Sequence, residues 1–255
     1  MTILGITWSG SVLVSFDPMT GLIVETHVWL PPTENFVGLA YDFRRNVLYA
    51  IAQVTCSLYA INPLTRDVRL IGRVNTGGDD VAGLTYDPVR DVLYTAILRG
   101  GATPFSDLAT VDRDTAAATV IGKVADGLCV SLCWRDSDGQ LTGLVIAGAG
   151  PWDSPLKASC VAIDPTTGTA TAIFQTTYHT ILGLARVPGK DGFVSWANWT
   201  THFYAEVDLN AQTVTPLAQS DTVGVSSAAM LLRSFYVATA PNLPPCSFTN
   251  ENCLG

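Results

Sequence analysis

The chain contains little charge. Of its 255 residues, 22 are acidic and 14 are lysine or arginine, so charged residues make up 14% of the sequence and the formal net charge is −8. Ordinary globular domains carry about 25% charged residues. Because 48% of the residues are hydrophobic, this composition excludes a disordered chain and a coiled coil. Three lysines and scattered arginines form no basic stripe, so we expect neither nucleic acid nor an anionic membrane as a partner.

Long apolar runs and targeting signals are also missing. No stretch approaches the roughly 18 apolar residues of a transmembrane helix. The N-terminus, from Met1 to Trp8, has no basic region, and its apolar stretch is shorter than the core of a signal peptide. The chain as given therefore predicts a protein that is cytoplasmic or otherwise soluble.

The six cysteines include no Cys-x-x-Cys motif, so neither a zinc ribbon nor a thioredoxin-like site is indicated. They are spread through a chain large enough to fold without disulfides, and we expect reduced thiols. In a strand, Cys129 and Cys133 would lie roughly 13 Å apart, too far to bond each other. Cys246 and Cys253 flank a polar loop near the C-terminus and are the one pair that we suspect of forming a disulfide.

Familiar catalytic signatures are absent as well. The sequence contains no Gly-x-Ser-x-Gly, His-Glu-x-x-His or Gly-Lys-Ser/Thr motif, so we expect no nucleotide cofactor. The segment from Asp136 to Gly139 begins like a calcium-binding loop. It lacks the glutamate that closes an EF-hand, and a hairpin turn is the better interpretation.

An internal repeat organises the chain. A strand that runs into a turn opened by Asp or Asn occurs five times, at intervals of 44 to 52 residues. The turn-opening residues are Asp17, Asn62, Asp112, Asp164 and Asp208. Such a side chain can accept a hydrogen bond from the backbone two residues on, so each copy predicts a turn between two strands.

A second strand, rich in small residues, also recurs five times. One column of small residues contains Gly38, Gly83, Cys129, Gly183 and Gly224. Two residues later, a second column contains Ala40, Thr85, Ser131, Ala185 and Ser226. Side chains alternate along a strand, so both columns lie on one face. This pattern indicates inner strands around a narrow central channel.

Four strands per unit of 41 to 54 residues is the spacing of a β-propeller blade. We predict an all-β fold, a five-bladed β-propeller with four antiparallel strands per blade, over residues 1–240, followed by a tail at 241–255. The two termini share one blade, which closes the ring and removes a free edge. Its inner strand is expected from Gly224 to Leu231, and its second strand is either Ile3 to Trp8 or Phe235 to Ala240.

Three segments carry a resemblance to known families. They are Leu39-Ala40-Tyr41-Asp42, Val47-Leu48-Tyr49-Ala50 and Leu58-Tyr59-Ala60-Ile61-Asn62-Pro63. These segments resemble the repeats of the propeller group that contains the NHL, SMP-30/gluconolactonase and strictosidine-synthase-like families. The resemblance implies that ligands and metals lie over one mouth of the channel, on loops that enter the inner strands and loops that join the second strand to the third. It also implies lactone or ester substrates.

The loops that enter the inner strands carry oxygen and imidazole groups. Three residues ahead of the first small column stand Asn35, Asp80, Asp126, Thr180 and Asp221, and one residue further back stand Glu34, Asp79, Ala125, His179 and Ser220. Clusters of oxygen ligands suit Ca²⁺, Mg²⁺ or Mn²⁺. We predict cation ligands at Glu34, Asp79, Asp80, Asp126 and Asp221. Alternatively, these residues begin strands because they satisfy turn backbone groups.

His179 is the histidine expected at this mouth, and beside carboxylates it is the candidate general base, with Asp80 as a second catalytic residue. The loops after the second strands form the remaining rim. Aromatic faces and a few polar groups there suit a small-molecule cup. The candidate ligand-binding residues are Trp8, Gln53, Arg99, Trp152, Asp153, Asn198 and Trp199.

Two classes of function stay open. The first is an enzyme with one central site, most simply a metal-assisted hydrolase of a lactone or ester; two mouth carboxylates would also serve a glycosidase. The second is a propeller that binds carbohydrate or another small ligand, as a lectin does, or that binds a protein. The rim residues differ in every blade, which favours one central site over five equivalent ones.

Overall fold

The computed structural model describes residues 3–6, 12–17, 23–31, 34–53, 55–101, 103–135, 138–146, 158–176, 181–186, 192–197, 203–219 and 236–238. Within these ranges the chain forms twenty β-strands. No helix in the described part of the chain has the length and apolar character needed to cross a membrane.

The strands form five four-stranded antiparallel sheets. The first complete sheet consists of β4 (Phe36–Asp42), β5 (Val47–Ala52), β6 (Ser57–Ile61) and β7 (Val68–Arg73). The next consists of β8 (Asp80–Asp87), β9 (Val92–Arg99), β10 (Phe105–Val111) and β11 (Ala118–Asp126). The third consists of β12 (Leu128–Arg135), β13 (Gln140–Ile146), β14 (Ala158–Ile163) and β15 (Ala170–Gln175). The fourth consists of β16 (Ile181–Arg186), β17 (Gly192–Ala197), β18 (Phe203–Asp208) and β19 (Thr213–Gln219).

The fifth sheet joins the two ends of the chain, and we call it the closing sheet. It has the order β20-β1-β2-β3, where β1 is Ile3–Ile6, β2 is Val12–Phe16, β3 is Ile23–Trp29 and β20 is Tyr236–Ala238. Ile6 pairs with Tyr236 and Leu4 pairs with Ala238. The prediction that strands from both termini share one sheet is therefore confirmed.

The order within the closing sheet corrects one expectation. The second position belongs to β1, so the N-terminal one of the two alternatives for the second strand is confirmed. The inner position belongs to β20, Tyr236–Ala238, and not to the expected segment. The expected inner strand from Gly224 to Leu231 lies outside the described residues, as does the tail.

The inner strands β4, β8, β12, β16 and β20 contact one another in this order, and β20 in turn contacts β4. The predicted all-β antiparallel propeller is confirmed. Buried clusters fill the spaces between neighbouring sheets; one of them joins Ile51 and Leu58 of one sheet to Leu84 and Leu93 of the next. The described cysteines of the core, Cys56, Cys129, Cys133 and Cys160, are buried thiols and form no disulfide. Burial raises the pKa of the Cys129 and Cys160 thiols to about 12, which suits inert core residues.

The glycine column allows the inner strands to approach closely. A Cβ atom on Gly38 would lie 2.6 Å from the backbone nitrogen of Leu84 on β8. A Cβ atom on Gly83 would lie 2.9 Å from the backbone nitrogen of Leu132 on β12, and Gly83 also has a left-handed φ of 63°. The small residues therefore serve contacts between adjacent inner strands.

One member of that column was assigned wrongly. Each inner strand from β4 to β16 has a β-bulge near its start, and in β12 the bulge falls between Cys129 and Ser131. Ser131 thus takes the place of Gly38 and Gly83. Its hydroxyl accepts a hydrogen bond from the Leu184 backbone at 3.0 Å. A bulge adds one residue to a strand, and the sequence does not mark where it does so.

The predicted turns after the third strands are confirmed. In each described case the carboxylate or amide oxygen of the opening residue accepts a hydrogen bond from the backbone nitrogen two residues on. The four bonds are Leu64 to Asn62 at 2.9 Å, Asp114 to Asp112 at 3.0 Å, Thr166 to Asp164 at 2.8 Å and Asn210 to Asp208 at 2.9 Å.

A cluster of ion pairs joins the sheets that begin at β4 and β8. The Asp91 carboxylate accepts hydrogen bonds from Arg45 at 2.7 and 2.8 Å and from Arg113 at 2.8 Å. Arg45 also binds the fully buried Asp42 at 2.8 Å. Charges of both signs balance here, so the cluster is an inter-blade contact rather than an open binding site.

Candidate functional site

The mouth face is the end of the ring at which the inner strands begin. At the entry to β4, the Glu34 carboxylate accepts hydrogen bonds from the hydroxyls of Tyr59, at 3.0 Å, and Thr55. Beside it, the Gln53 backbone donates to the Asn35 carbonyl at 2.7 Å, and the Asn35 amide donates to the Gln53 side chain at 3.3 Å. These bonds tie the entry of β4 to the loop between β5 and β6.

The entry to β8 is held by a charged cluster centred on Arg99. Its guanidinium donates to the Asp79 carboxylate at 2.7 Å and to the Asp107 carboxylate at 2.8 Å. It also donates to the Thr76 carbonyl at 2.8 Å. The hydrogen bonds to Asp79 and Asp107 raise the pKa of Arg99. Arg99 therefore remains charged and braces the loop that leads into β8.

Two glycines let that loop turn around the arginine. Gly77 and Gly78 have left-handed φ values of 78° and 104°, which residues with side chains rarely adopt. The Thr76 hydroxyl closes the loop through a 2.5 Å hydrogen bond to the Asp79 carbonyl. The Cys56 thiol contacts the same carbonyl at 3.3 Å. The entry to β8 is thus connected to the loop ahead of β6.

Asp80 differs from its neighbours at the mouth. It is the first residue of β8, pairs with Leu98 and is partly exposed. In the part of the chain that the structure describes, no hydrogen bond or ion pair reaches the Asp80 carboxylate, whereas those of Glu34 and Asp79 are engaged. Among the described candidate acids, Asp80 is therefore the one available to a bound molecule.

The structure does not bring Asp126 to this group. Asp126 is the last residue of the outer strand β11, pairs with Phe105 and has a side chain that is 87% exposed. It forms an ion pair with Lys123 at 2.5 Å. The mistaken column for Cys129 caused this error, because Asp126 was counted back from that residue.

The candidate cation site is not assembled from the described residues. Within them, no group of three or more His, Cys, Asp or Glu side chains is placed to hold a metal ion. Asp79 is instead neutralised by Arg99. The other predicted residues of the site lie outside the described residues: Trp8, Trp152, Asp153, His179, Asn198, Trp199 and Asp221.

Thr55 lies in the predicted rim loop that begins at Gln53, but its bond to Glu34 was not predicted, and three residues of the mouth were not predicted at all: Tyr59, Thr76 and Asp107. One signal could have identified Asp107, which is the single charged residue in the otherwise uncharged strand β10. A carboxylate in a largely buried strand requires a partner, and Arg99 at the end of the adjacent strand is the available cation. No comparable signal marks the hydroxyl groups that bind Glu34.

Comparisons with known proteins agree with the fold. No protein-family model and no curated protein matches the chain. Among solved structures, a chain of a Nidogen/Laminin complex is 14% identical with a TM-score of 0.51, over 84% of this chain and 91% of that one. A protein of unknown function from Bacteroides thetaiotaomicron VPI-5482 is 11% identical with a TM-score of 0.60, over 84% and 58%.

The PQQ-bound aldose sugar dehydrogenase from Streptomyces coelicolor is 12% identical with a TM-score of 0.50, over 83% of this chain and 72% of that one. Together these similarities agree with a β-propeller fold. At such low identities they concern the fold alone.

Proposed function

We propose that the chain is a small-molecule-binding propeller with one ligand site over the mouth face. The observation that carries this proposal is that the segments leading into neighbouring inner strands differ in their polar groups. Amides link Asn35 to Gln53 at the entry of β4, whereas ion pairs link Asp79 to Arg99 at the entry of β8. Equivalent sites on each blade would repeat their polar groups. Different polar groups around one mouth suit a single shared ligand, because small-molecule sites orient their ligand with a few polar groups at fixed positions.

Asp80 is the proposed anchor of that ligand. A partly exposed carboxylate accepts hydrogen bonds from hydroxyl or ammonium groups, and such charge-assisted bonds are about twice as strong as neutral ones. The five sheets are proposed to form one closed five-bladed ring, so that all five entries border the same mouth. The predicted rim residues then complete the site: Trp8, Trp152, Asp153, Asn198 and Trp199.

Metal-assisted hydrolysis of a lactone or ester is the catalytic form of this proposal. Asp80 supports it, because an acid without a described partner can bind a cation. A cation such as Ca²⁺ needs six or more oxygen ligands, and Asp79 would first have to leave Arg99. The predicted Asp221 ligand and His179 base would supply the rest. The contacts therefore favour binding of a small ligand over metal-dependent catalysis.

Binding is tested with three proteins: the wild type, Asp80→Asn and the matched control Asp126→Asn. The probes are a panel of hexoses and a δ-lactone, each measured by thermal unfolding and titration calorimetry. We expect at least one probe to bind the wild type and Asp126→Asn with similar affinity and to bind Asp80→Asn at least about 10-fold more weakly, a difference of about 1.4 kcal/mol. Equal affinities for all three proteins would exclude Asp80 as the anchor.

The catalytic form needs a separate measurement. Protein dialysed against EDTA is heated alone and with Ca²⁺, Mg²⁺ or Mn²⁺, and hydrolysis of the δ-lactone and of an aryl ester is followed. A cation at 100 times its Kd stabilises the folded state by about 2.7 kcal/mol. A cation-dependent rise in melting temperature together with hydrolysis would establish a hydrolase. Binding of a sugar or lactone without either effect would establish a binding protein.

A further inference from the structure

The outer strands of the propeller share a β-bulge at corresponding places. At this place one residue of each outer strand is left unpaired opposite the third strand of its sheet, and in four sheets that residue is aliphatic. The four residues are Ile71, Ile121, Ile173 and Leu217. Three of them pack against the buried clusters between sheets: Ile71, Ile121 and Ile173. The repeat therefore uses the bulge to direct an apolar side chain into an inter-blade core.

The closing sheet breaks this rule. Its outer strand has the corresponding bulge between the residues that pair with Leu13 and Val14, and the residue left unpaired is His27. A titratable imidazole thus occupies the place of an aliphatic side chain. Bulges re-aim side chains, so His27 is directed as its aliphatic counterparts are.

The imidazole lies in a small cavity between the closing sheet and the sheet of β4–β7, a contact that we call the closing seam. The cavity is lined by His27 together with Leu13, Leu48, Ile61, Asn62, Pro63 and Arg66. The His27 side chain is 11% exposed, and its Nε2 is buried and has no hydrogen-bond partner within the described residues.

Two charged groups face His27 in the described structure. Glu25, on the same strand, places a carboxylate oxygen 3.8 Å from the His27 Nδ1. Arg66, from the turn after β6, donates to that same oxygen at 3.3 Å. The Asn62 amide oxygen already accepts two backbone hydrogen bonds within its turn. The cavity therefore offers little compensation for a positive charge on Nε2.

We propose that His27 makes the closing seam sensitive to pH, so that the ring loosens at this seam as the pH falls through the range in which histidine is protonated. Protonation would place an N–H donor and a charge against Leu13, Leu48 and Ile61. The nearest carboxylate, that of Glu25, is shared with Arg66, and a buried charge that is only partly compensated is costly. An aliphatic residue at this place, as in the other blades, would not respond to pH.

The direction of the effect follows from the pKa. Burial lowers the pKa of His27 below its ordinary value; the Glu25 carboxylate raises it by less, and Arg66 lowers it further. As the pH falls, the unfolded chain therefore binds the proton first. Stability is complete above the ordinary pKa near 6.5 and is lost as the pH falls below it.

The test compares the wild type with His27→Ile, which restores the residue of the other blades, and with His27→Gln, which stays polar and does not titrate. Melting temperatures are measured at pH 7.5 and pH 5.5. We expect the melting temperature of both variants to fall at least about 2 °C less than that of the wild type. His179 and His202 are present in all three proteins, so the difference isolates His27.

Hydrogen exchange locates the effect. After correction for the intrinsic rate, exchange in β3 and in residues 62–66 should increase several-fold at pH 5.5 in the wild type and remain unchanged in His27→Ile. The proposal is overturned if the variants lose as much stability as the wild type, or if NMR titration gives His27 a pKa at or above its ordinary value. If His27→Ile does not fold, His27→Gln and the wild-type titration decide the question.

Discussion

Replacing Gly38 by alanine should force two inner strands apart. The new Cβ atom would lie 2.6 Å from the backbone nitrogen of Leu84 and 2.7 Å from the carbonyl carbon of Gly83. Both atoms belong to β8, which is paired along its length with β9. Backbone atoms in a sheet cannot rotate away as a long side chain can. The clash therefore has to be relieved by separating β4 from β8.

The magnitude follows from the cost of overpacking, which is about 1–3 kcal/mol for an added methyl group in a close-packed site. In a chain of this size, each kcal/mol shifts the melting temperature by about 2–4 °C. Gly38→Ala should therefore melt roughly 2–12 °C below the wild type. Thermal unfolding followed by circular dichroism measures this shift.

Gly100→Ala is the matched control. A Cβ atom at Gly100 would meet no atom within 4 Å, and its φ is not left-handed. Both substitutions reduce the freedom of the unfolded chain equally, so the difference between them isolates the clash. If Gly38→Ala melts within about 1 °C of Gly100→Ala, the close approach of β4 and β8 is refuted.

Three further substitutions test other parts of the structure. Asp87→Ala should lower the free energy of unfolding by roughly 2–3 kcal/mol in urea, because its buried carboxylate accepts three hydrogen bonds; the exposed Asp114→Ala should change it by less than about 0.5 kcal/mol. Arg99→Gln should speed hydrogen exchange in the loop ahead of β8 and leave β12 unchanged. Hydrogen bonds from Arg45 and Arg113 hold the pKa of Asp91 below its ordinary value. The stability that these ion pairs contribute is present above the ordinary pKa of Asp91 and is lost as the pH falls below it. In urea unfolding measured from pH 5 to pH 3, Asp91→Asn should therefore lose less stability than the wild type.

The strands and turns of this fold could be predicted because their causes are local. An Asp or Asn oxygen that bonds the backbone two residues on defines a turn wherever it occurs, and Asn62 and Asp164 do so as expected. Small residues at alternate positions mark strands that must approach a neighbour. Gly38 and Gly83 meet that requirement.

The pairing register of the inner strands was harder to predict, because the position of a β-bulge depends on the partner strand as well as on the local sequence. The bulge that moves Ser131 into the small column depends on how β12 pairs with β13. Cys129 and Ser131 are both small and lie two residues apart in the sequence. The sequence therefore allows either residue to be placed in the first column of small residues. The misplacement of Asp126 at the mouth follows from that single ambiguity.

The candidate site could be predicted in position but not in its contacts. The sequence places Glu34, Asp79 and Asp80 at the entries of neighbouring strands, and the structure agrees. It does not reveal that Arg99 neutralises Asp79, because that partner is supplied by the end of β9, 20 residues away. Of the acidic residues predicted to bind a cation, Asp79 forms an ion pair with Arg99 instead. Among the described ones at the mouth, Asp80 is left as the carboxylate that no side chain engages.

The turns between the first and second strands show why similarity is visible in structure but not in sequence. In one blade the buried Asp87 binds Arg90 three residues later, at 2.9 Å. At the corresponding place in the next blade the charges are reversed, and Arg135 binds Asp138 at 2.7 Å. What the two turns share is an ion pair between residues i and i+3, not the residue at either position. A residue-by-residue comparison counts such a reversal as two mismatches, whereas the hairpin that the pair holds is the same. Reversals of this kind lower sequence identity while the hairpin keeps its geometry.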